Sequence, residues 1–179
     1  MDSMSVNVDD QQIQSVVDRL SKQDYVPPPP EPAVQTVECS VPPVDTSFKS
    51  YTDYRCITDR TSPQWAVREQ CFTDEDGMRR IEAPNGEIDY IVALGSAYTT
   101  TVGDRFIFTL DTGATFTATV GDLKQDRHTD PSHRYIERDG NVAEFHIDSE
   151  AVSARVLQMG DVSWVDGLSG QIVRIQKIL

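Results

Sequence analysis

The sequence predicts a mainly β protein: a small closed or nearly closed barrel of about six or seven strands, with two short helices and an extended N-terminal arm. Short runs of β-branched and aromatic residues recur along the C-terminal half of the chain, and clusters of Gly, Pro, Asn and Asp separate them. Such runs, joined by tight turns, are typical of small barrels. Two other short segments carry helix caps and good helix formers.

Strands are expected wherever a β-branched or aromatic run lies between two turn signals. These runs cover residues 78–81, 88–94, 105–110, 115–120, 141–147, 162–165 and 171–178. The turn sequences Pro84-Asn85-Gly86 and Asp111-Thr112-Gly113 predict that two pairs of these strands form hairpins.

Two short helices are expected, one before the C-terminal half of the chain and one within it. Thr61-Ser62-Pro63 supplies a cap and a first-turn proline for a helix over residues 64–69. Asp148-Ser149-Glu150 caps a second helix that continues to about Leu157 and stops at Gly160.

The sequence of the N-terminal part predicts an extended arm rather than a part of the hydrophobic core. Four apolar residues recur at helical spacing and indicate a short amphipathic helix over about residues 10–22: Ile13, Val16, Val17 and Leu20. The proline-rich run from Val26 to Pro32 is typical of a stiff polyproline II spacer. We therefore expect an arm over residues 1–47, a linker and lead-in segment over 48–87, and the barrel domain over 88–179. The arm is either a docking peptide for a neighbouring subunit or a disordered tail.

Composition excludes several classes of partner. The chain carries 29 acidic and 16 basic residues and a net charge of −13, which opposes binding to a phosphate backbone. No apolar run is long enough to span a membrane, and no secretory signal is expected at the N-terminus. Cys39, Cys56 and Cys71 lack the spacing of a zinc knuckle, although Cys56 and Cys71 are able to pair in an oxidising compartment.

The stretch from Gly121 to Asp130 is the most informative part of the chain. It joins two expected strands and brings acidic side chains and histidines to the strand ends, which is typical of sites for proton chemistry or ligand capture. His128 and Tyr135 in this loop are candidates for binding. Weak candidates for metal ligands are His128, His133 and His146, but their spacing differs from that of helix-borne zinc ligands, so no metal is expected.

Four segments of the chain carry a family resemblance. They are Tyr90–Gly95, Gly103–Phe108, Phe116–Asp122 and Val142–Ile147. Together, over about residues 88–165, they resemble the three-aspartate domain. This is the double-psi β-barrel of bacterial muralytic proteins, among them resuscitation-promoting factors and the catalytic region of membrane-bound lytic transglycosylase A. The stretch Gly121–Asp130 is also similar to one in uncharacterised proteins of Firmicutes and their phages.

The resemblance implies an active site. In that family an Asp followed by Thr-Gly-Gly, and a second Asp in an Asp-Val-Phe strand, cleave the glycan of peptidoglycan. Asp122 matches the first and Glu144 stands where the second would be, so Asp122 is the implied acid and later base, tuned by Glu144 or Asp130. The chain departs from the pattern because Leu123-Lys124-Gln125 replaces Thr-Gly-Gly, Glu replaces Asp, and the loop over residues 126–139 is longer.

A second short match competes with this one. Asp111-Thr112-Gly113 resembles the active-site turn of retroviral-type aspartic proteases, with Met159-Gly160-Asp161 as a weak downstream element. Asp-Thr-Gly is also a common hairpin turn, and we favour the turn.

Two functions follow as expectations. The first is a barrel that cleaves peptidoglycan glycan as a lytic transglycosylase does, docked by its arm onto a larger assembly such as a phage particle. The second is a non-catalytic structural or adaptor protein of a phage tail or neck. Both predict a protein of the virion or cell wall that contacts other protein subunits through its arm, and neither requires a cofactor. The first also predicts peptidoglycan or another glycan as a partner.

Overall fold

A computed structural model describes residues 13–14 and 34–179 of the chain. Of the predicted arm helix, only Ile13 and Gln14 are described, and both are helical. The rest of that helix and the whole proline-rich spacer lie outside the described residues. Val34–Leu179 make up one structural unit.

Nine strands lie in the described part of the chain. They are β1 (Thr36–Cys39), β2 (Tyr51–Asp53), β3 (Phe72–Thr73), β4 (Arg79–Glu82), β5 (Ile88–Leu94), β6 (Arg105–Leu110), β7 (Thr115–Leu123), β8 (Glu144–Ile147) and β9 (Ile172–Ile178). They form one mixed sheet in the order β1-β9-β6-β7-β5-β4-β3, and β8 pairs with both β5 and β2. The β5–β7 and β2–β8 pairs are parallel, and the other pairs are antiparallel. Closure of this sheet into a barrel is not detected among the described strands.

Two short α-helices accompany the sheet, in the two segments where helices were expected. The helix α1 (Pro63–Arg68) begins after Ser62, whose hydroxyl accepts a hydrogen bond from the backbone N–H of Trp65 at 3.1 Å. The helix α2 (Ala154–Met159) ends at Gly160, which adopts the left-handed conformation with φ 67°. Its cap is Ser153 rather than the predicted acidic cap, so it begins later than expected. Within the described residues, no helix is long and apolar enough to cross a membrane.

The mainly β prediction is confirmed, with one strand assigned wrongly. Residues 162–165 were expected to be a strand, but Val162–Trp164 form a 3-10 turn capped by the Asp161 carboxylate, which accepts the backbone N–H of Ser163 at 2.9 Å. Val162 and Val165 are both buried, and their spacing of three residues places them on one side of a 3-10 turn, whereas a strand would point them to opposite faces.

The sheet begins further upstream than the domain boundaries drawn from the sequence. Strand β1, within the predicted arm, pairs with β9, while β2 and β4, within the predicted lead-in segment, pair with β8 and β5. These early strands cover backbone hydrogen-bonding groups that β9, β8 and β5 would otherwise leave open as edges. The lead-in segment is therefore part of the fold.

The core lies on one face of the central strands and is rich in aromatic residues. Phe108 and Phe116 stack with their ring centroids 4.9 Å apart, and Phe145 lies 5.5 Å from Phe116. Because side chains alternate along a strand, Val92 on β5 and Val120 on β7 join this core, while their neighbours point to the opposite face.

That opposite face carries a buried ion pair. Asp89 on β5 is fully buried, and its carboxylate accepts hydrogen bonds from Arg105 Nε at 2.6 Å and from the Thr119 hydroxyl at 2.8 Å. Desolvation opposes ionisation of Asp89, but Arg105 and the threonines outweigh it and hold the pKa of this carboxyl below its usual value. The pair joins β5 to β6 across β7.

Replacement of Arg105 by Met is expected to destabilise the fold by about 3–5 kcal/mol, because it leaves the Asp89 carboxylate buried without its partner. Urea unfolding measures this loss. The matched control is Arg174→Met, which removes an exposed pair with Glu38 and should cost less than about 1 kcal/mol. Equal losses in the two variants would show that the Asp89 pair does not hold the central strands together.

Candidate functional site

The candidate site is built on one row of residues across three strands. Ala93 on β5 lies opposite Asp122 on one side, across the parallel pair with β7. On its other side Ala93 lies opposite Glu144, across the antiparallel pair with β8. Residues opposite one another in a sheet point to the same face, so the two carboxylates share a face with only a methyl group between them. Their backbones are two strand spacings apart, about 10 Å.

A bulge at Gly121 determines which face Asp122 occupies. Val92 pairs with Val120 and Ala93 with Asp122, so Gly121 is an extra residue on β7. Without it, Asp122 would follow Val120 by two positions and point into the apolar core. One inserted residue instead turns Asp122 to the opposite face, as bulges next to active sites often do. A Cβ atom at Gly121 would lie 2.4 Å from Cγ2 of Ile91, so the close approach requires glycine.

The two carboxylates border a cavity of about 190 Å³. Its lining consists of Ala93, Asp122, Leu123, Lys124, Gln125, His128, Ile136 and Glu144. His128 is exposed at the end of a 3-10 turn, Asp126–His128, whereas Lys124 is buried. The cavity therefore combines two carboxylates, an amine and an imidazole with an apolar wall.

Glu144 is the half-buried acid of this cavity. Burial raises the pKa of its carboxyl above the usual value, and the nearby charges of Asp122 and Asp139 add to the increase, while Lys124 and His128 oppose it. No hydrogen-bond partner for the Glu144 side chain is found among the described residues. A carboxyl in this state keeps its proton to higher pH than an exposed glutamate does.

Asp122 is held in place by hydrogen bonds. Its Oδ1 atom accepts the backbone N–H of Leu123 at 2.8 Å and the side-chain amide of Gln64, from α1, at 3.4 Å. Asp122 also borders a second cavity, of about 280 Å³. That cavity is lined by Cys56, Ile57, Thr58, Asp59, Ser62, Gln64 and Asp122. Asp122 thus lies between two open spaces, one of them walled by the lead-in segment.

His146 lies deep beneath the same face. It follows Glu144 by two positions on β8 and is almost fully buried. Its Nε2 atom has no hydrogen-bond partner among the described residues. Burial lowers the pKa of His146 to about 4, and Arg79 contributes, although Asp122 and Asp53 act in the opposite direction. His146 is consequently neutral at physiological pH.

Asp130 and Tyr135, two of the predicted site residues, organise the loop instead. The Asp130 carboxylate accepts the backbone N–H groups of Ser132 at 2.8 Å, Arg134 at 2.7 Å and Tyr135 at 3.0 Å. Desolvation opposes ionisation, but the Ser132 hydroxyl and these N–H groups lower the pKa of Asp130 well below its usual value. Tyr135 packs against the apolar core. Neither residue lines the cavity of Asp122 and Glu144.

The three histidines do not meet. His128 lies at the cavity, His146 lies beneath the sheet, and His133 Nδ1 is 3.2 Å from the Thr129 hydroxyl in the loop. Among the described residues, no group of three or more His, Cys, Asp or Glu side chains is arranged to hold a metal ion. The three cysteines carry free thiols.

The Asp-Thr-Gly sequence is a turn, as favoured above. It joins β6 to β7, with Gly113 at φ 86°. The Asp111 carboxylate accepts the backbone N–H of Gln171 at 3.0 Å, so it fastens β9 to the turn. Gly160 and Asp161, from the weak downstream match, are caps of α2 and of the following turn.

Three residues of the site were missed by sequence reasoning alone. Lys124 was noted only as a departure from the family pattern, Gln64 only as part of a helix, and Ala93 only as part of a strand. The small side chain of Ala93 between two acidic positions is a usable signal, but only once the strand pairing is known. Comparisons of the chain with protein-family models, curated proteins and solved structures find no match, so the site must be interpreted from its own geometry.

Gly121→Ala is expected to destabilise the protein by about 1–3 kcal/mol, because the added methyl group overlaps Ile91. Ile91→Ala removes the obstructing atom. The double variant should therefore lose less stability than the sum of the two single losses, by about 1 kcal/mol or more. Urea unfolding of the four proteins measures this coupling. Strictly additive losses would mean that Gly121 is not pressed against Ile91.

The buried His146 predicts a pH-dependent loss of stability. Between about pH 6.5 and pH 4 the unfolded chain binds a proton at His146 that the folded chain does not bind, so stability falls as the pH falls, by up to about 3 kcal/mol. Urea unfolding at a series of pH values should show a shallower dependence in His146→Gln. Parallel slopes for the wild-type protein and His146→Gln would contradict burial of a neutral His146.

Proposed function

We propose that the chain cleaves a glycan by acid–base catalysis in the cavity between Asp122 and Glu144, with Glu144 as the proton donor. The observation that carries this proposal is the shared row: Ala93 separates two carboxylates that lie on one face and border one cavity. Paired carboxylates with different proton affinities are the usual apparatus for breaking a glycosidic bond.

The assignment of roles differs from the one that the family resemblance implies. Burial favours the protonated form of Glu144, as an acid catalyst requires. Asp122 accepts a backbone N–H from Leu123 and an amide N–H from Gln64, which fix its carboxylate on the far side of Ala93 from Glu144. Glu144 therefore supplies the proton, and Asp122 supplies negative charge opposite it.

The reaction is completed by the substrate. Glu144 donates its proton to the leaving glycosidic oxygen as the bond to the anomeric carbon breaks, and positive charge develops on the sugar. A hydroxyl of the same sugar then attacks the anomeric carbon and returns its proton to Glu144, which gives an anhydro product. Asp122 stabilises the developing positive charge. No covalent enzyme intermediate and no metal are required in this sequence.

Peptidoglycan is the proposed glycan, and the support for it is the resemblance of Gly121–Asp130 and the flanking strands to the three-aspartate domain. We also propose that the sheet is a variant of the double-psi barrel, because β5 and β7 are parallel and the intervening β6 lies beyond β7. The apolar stripe predicted for residues 10–22 supports docking of the arm onto a larger assembly, such as a phage particle.

Digestion of purified peptidoglycan tests the proposal. The wild-type protein should release anhydro-muropeptides, detected by mass spectrometry, and Glu144→Gln should reduce the rate by about 100-fold or more. Asp122→Asn should also lose activity, while Glu137→Gln, which changes an exposed acid in the adjoining loop, should retain it. The rate should fall with rising pH as Glu144 loses its proton, at a pH above the usual range of a glutamate.

A wild-type protein that releases no product at any pH, with or without divalent metal, would contradict the proposal that the chain cleaves peptidoglycan. That outcome would favour the second expectation, a non-catalytic protein of a virion. The replacement of Thr-Gly-Gly by Leu123-Lys124-Gln125 is the feature of the chain that favours this alternative.

A further inference from the structure

A buried lysine lies in the wall of the candidate site. Lys124 follows the end of β7, and its backbone N–H donates to the Leu94 carbonyl at 2.9 Å, which continues the pairing of β5 with β7 by one residue. Its side chain is 8% exposed and lines the same cavity as Asp122 and Glu144. Lysine is rarely buried to this extent unless its ammonium group has a partner.

The ammonium group is fixed by one neutral contact. Nζ of Lys124 donates to the backbone carbonyl of Asn141 at 3.0 Å. The Asn141 side chain is itself anchored, because its Oδ1 accepts the backbone N–H of Ser50 at 3.2 Å. No carboxylate oxygen of the described residues lies within salt-bridge distance of Nζ. The positive charge is therefore held in the wall of the cavity without being cancelled by a direct ion pair.

Five charged or titratable groups interact with Glu144 from the elements packed around it. They are Asp122 at the end of β7, Lys124 just after it, His128 on the 3-10 turn, Asp139 in the loop before β8, and the thiol of Cys56, which follows β2. Among these groups, Lys124 has the largest effect in favour of ionised Glu144. It lowers the pKa of this carboxyl, whereas burial and the charges of Asp122 and Asp139 raise it. The influence is mutual, because Glu144 and Asp139 help Lys124 to keep its proton against the burial that lowers its pKa to about 8.

We propose that Lys124 is a positioning residue that controls the proton of Glu144 through its buried charge. The ammonium group, held by the Asn141 carbonyl, limits how tightly the buried Glu144 carboxyl binds its proton, so that the proton can be released to a substrate. Without this charge, Glu144 would remain protonated and be unable to act later as a base. The control of the proton stands on the burial of Lys124 and on the cavity that it shares with Glu144, and its catalytic consequence rests on the proposed function.

Direct titration of Glu144 tests this proposal without any substrate. Carbon-13 NMR of the Glu144 carboxyl, assigned with Glu144→Gln, should show a midpoint that rises by about 1 pH unit or more in Lys124→Met. Lys124→Arg keeps the charge and should titrate close to the wild-type protein. The matched control is Lys49→Met: Lys49 is also fully buried, but it donates to the Ser47 and Gly170 carbonyls, and the charges around it do not include Glu144.

The wild-type protein supplies a second test, in case Lys124→Met fails to fold. The Glu144 carboxyl resonance should show a further inflection near pH 8, where Lys124 loses its proton. A Glu144 midpoint that is the same in folded Lys124→Met and wild type, or a wild-type resonance without that inflection, would overturn the proposal.

Activity assays separate this proposal from the proposed function. If peptidoglycan is cleaved, the pH at which the rate declines should rise in Lys124→Met together with the midpoint of the Glu144 titration. In Lys124→Arg the rate should decline at the same pH as in the wild-type protein. If the Glu144 midpoint rises in Lys124→Met but the wild-type protein cleaves no glycan, the role of Lys124 is supported and the proposed enzymatic function is contradicted. A high-pH limb that stays in place while glycan is cleaved would show that Lys124 has only a structural role.

Discussion

The parallel pairing of β5 with β7, interrupted by one extra residue at Gly121, is the constraint on which the candidate site depends. Before the bulge, Val120 packs into the aromatic core opposite Val92; after it, Asp122 points away from that core. The same strand thus contributes to the core and to the site within three residues. A carboxylate turned toward the core would be buried without partners at a cost of several kcal/mol, so the bulge and the acidic residue depend on each other.

The site combines two acidic residues with two buried basic residues, one charged and one neutral. Lys124 offsets the two acidic neighbours of Glu144, while His146 is buried as a neutral ring below them. The overall charge of −13 contributes little here, because most of the acidic residues in the described part of the chain are exposed and screened by salt. Burial of a few groups on one face of the sheet, rather than the composition of the chain, therefore sets the chemistry of the cavity.

Much of the local structure could be predicted because it depends on neighbouring residues. The cap at Ser62, the stop at Gly160 and the turn at Gly113 each require only a few consecutive residues, and all three are present. The extra strand pairs formed by residues 36–53 could not be predicted in this way. They depend on which strand edges remain open, and that is a property of the whole sheet.

The same distinction applies to the site. Asp122 and Glu144 could be chosen as candidates from the sequence, and the fold brings them to one row. Asp130 was also chosen, but backbone N–H groups two, four and five residues further along the chain occupy its carboxylate. The burial of Lys124 could not be foreseen, because its partner carbonyl belongs to Asn141, 17 residues further along the chain.

A crystal structure of the Glu144→Gln protein with a bound peptidoglycan fragment would show which side chain meets the scissile bond. We expect a glycosidic oxygen within about 3 Å of the side-chain amide of residue 144, with the sugar ring over Ala93 and Asp122 on its other side. A fragment bound elsewhere, or one that contacts Asp122 while its glycosidic oxygens lie beyond reach of residue 144, would contradict the assignment of Glu144 as the proton donor.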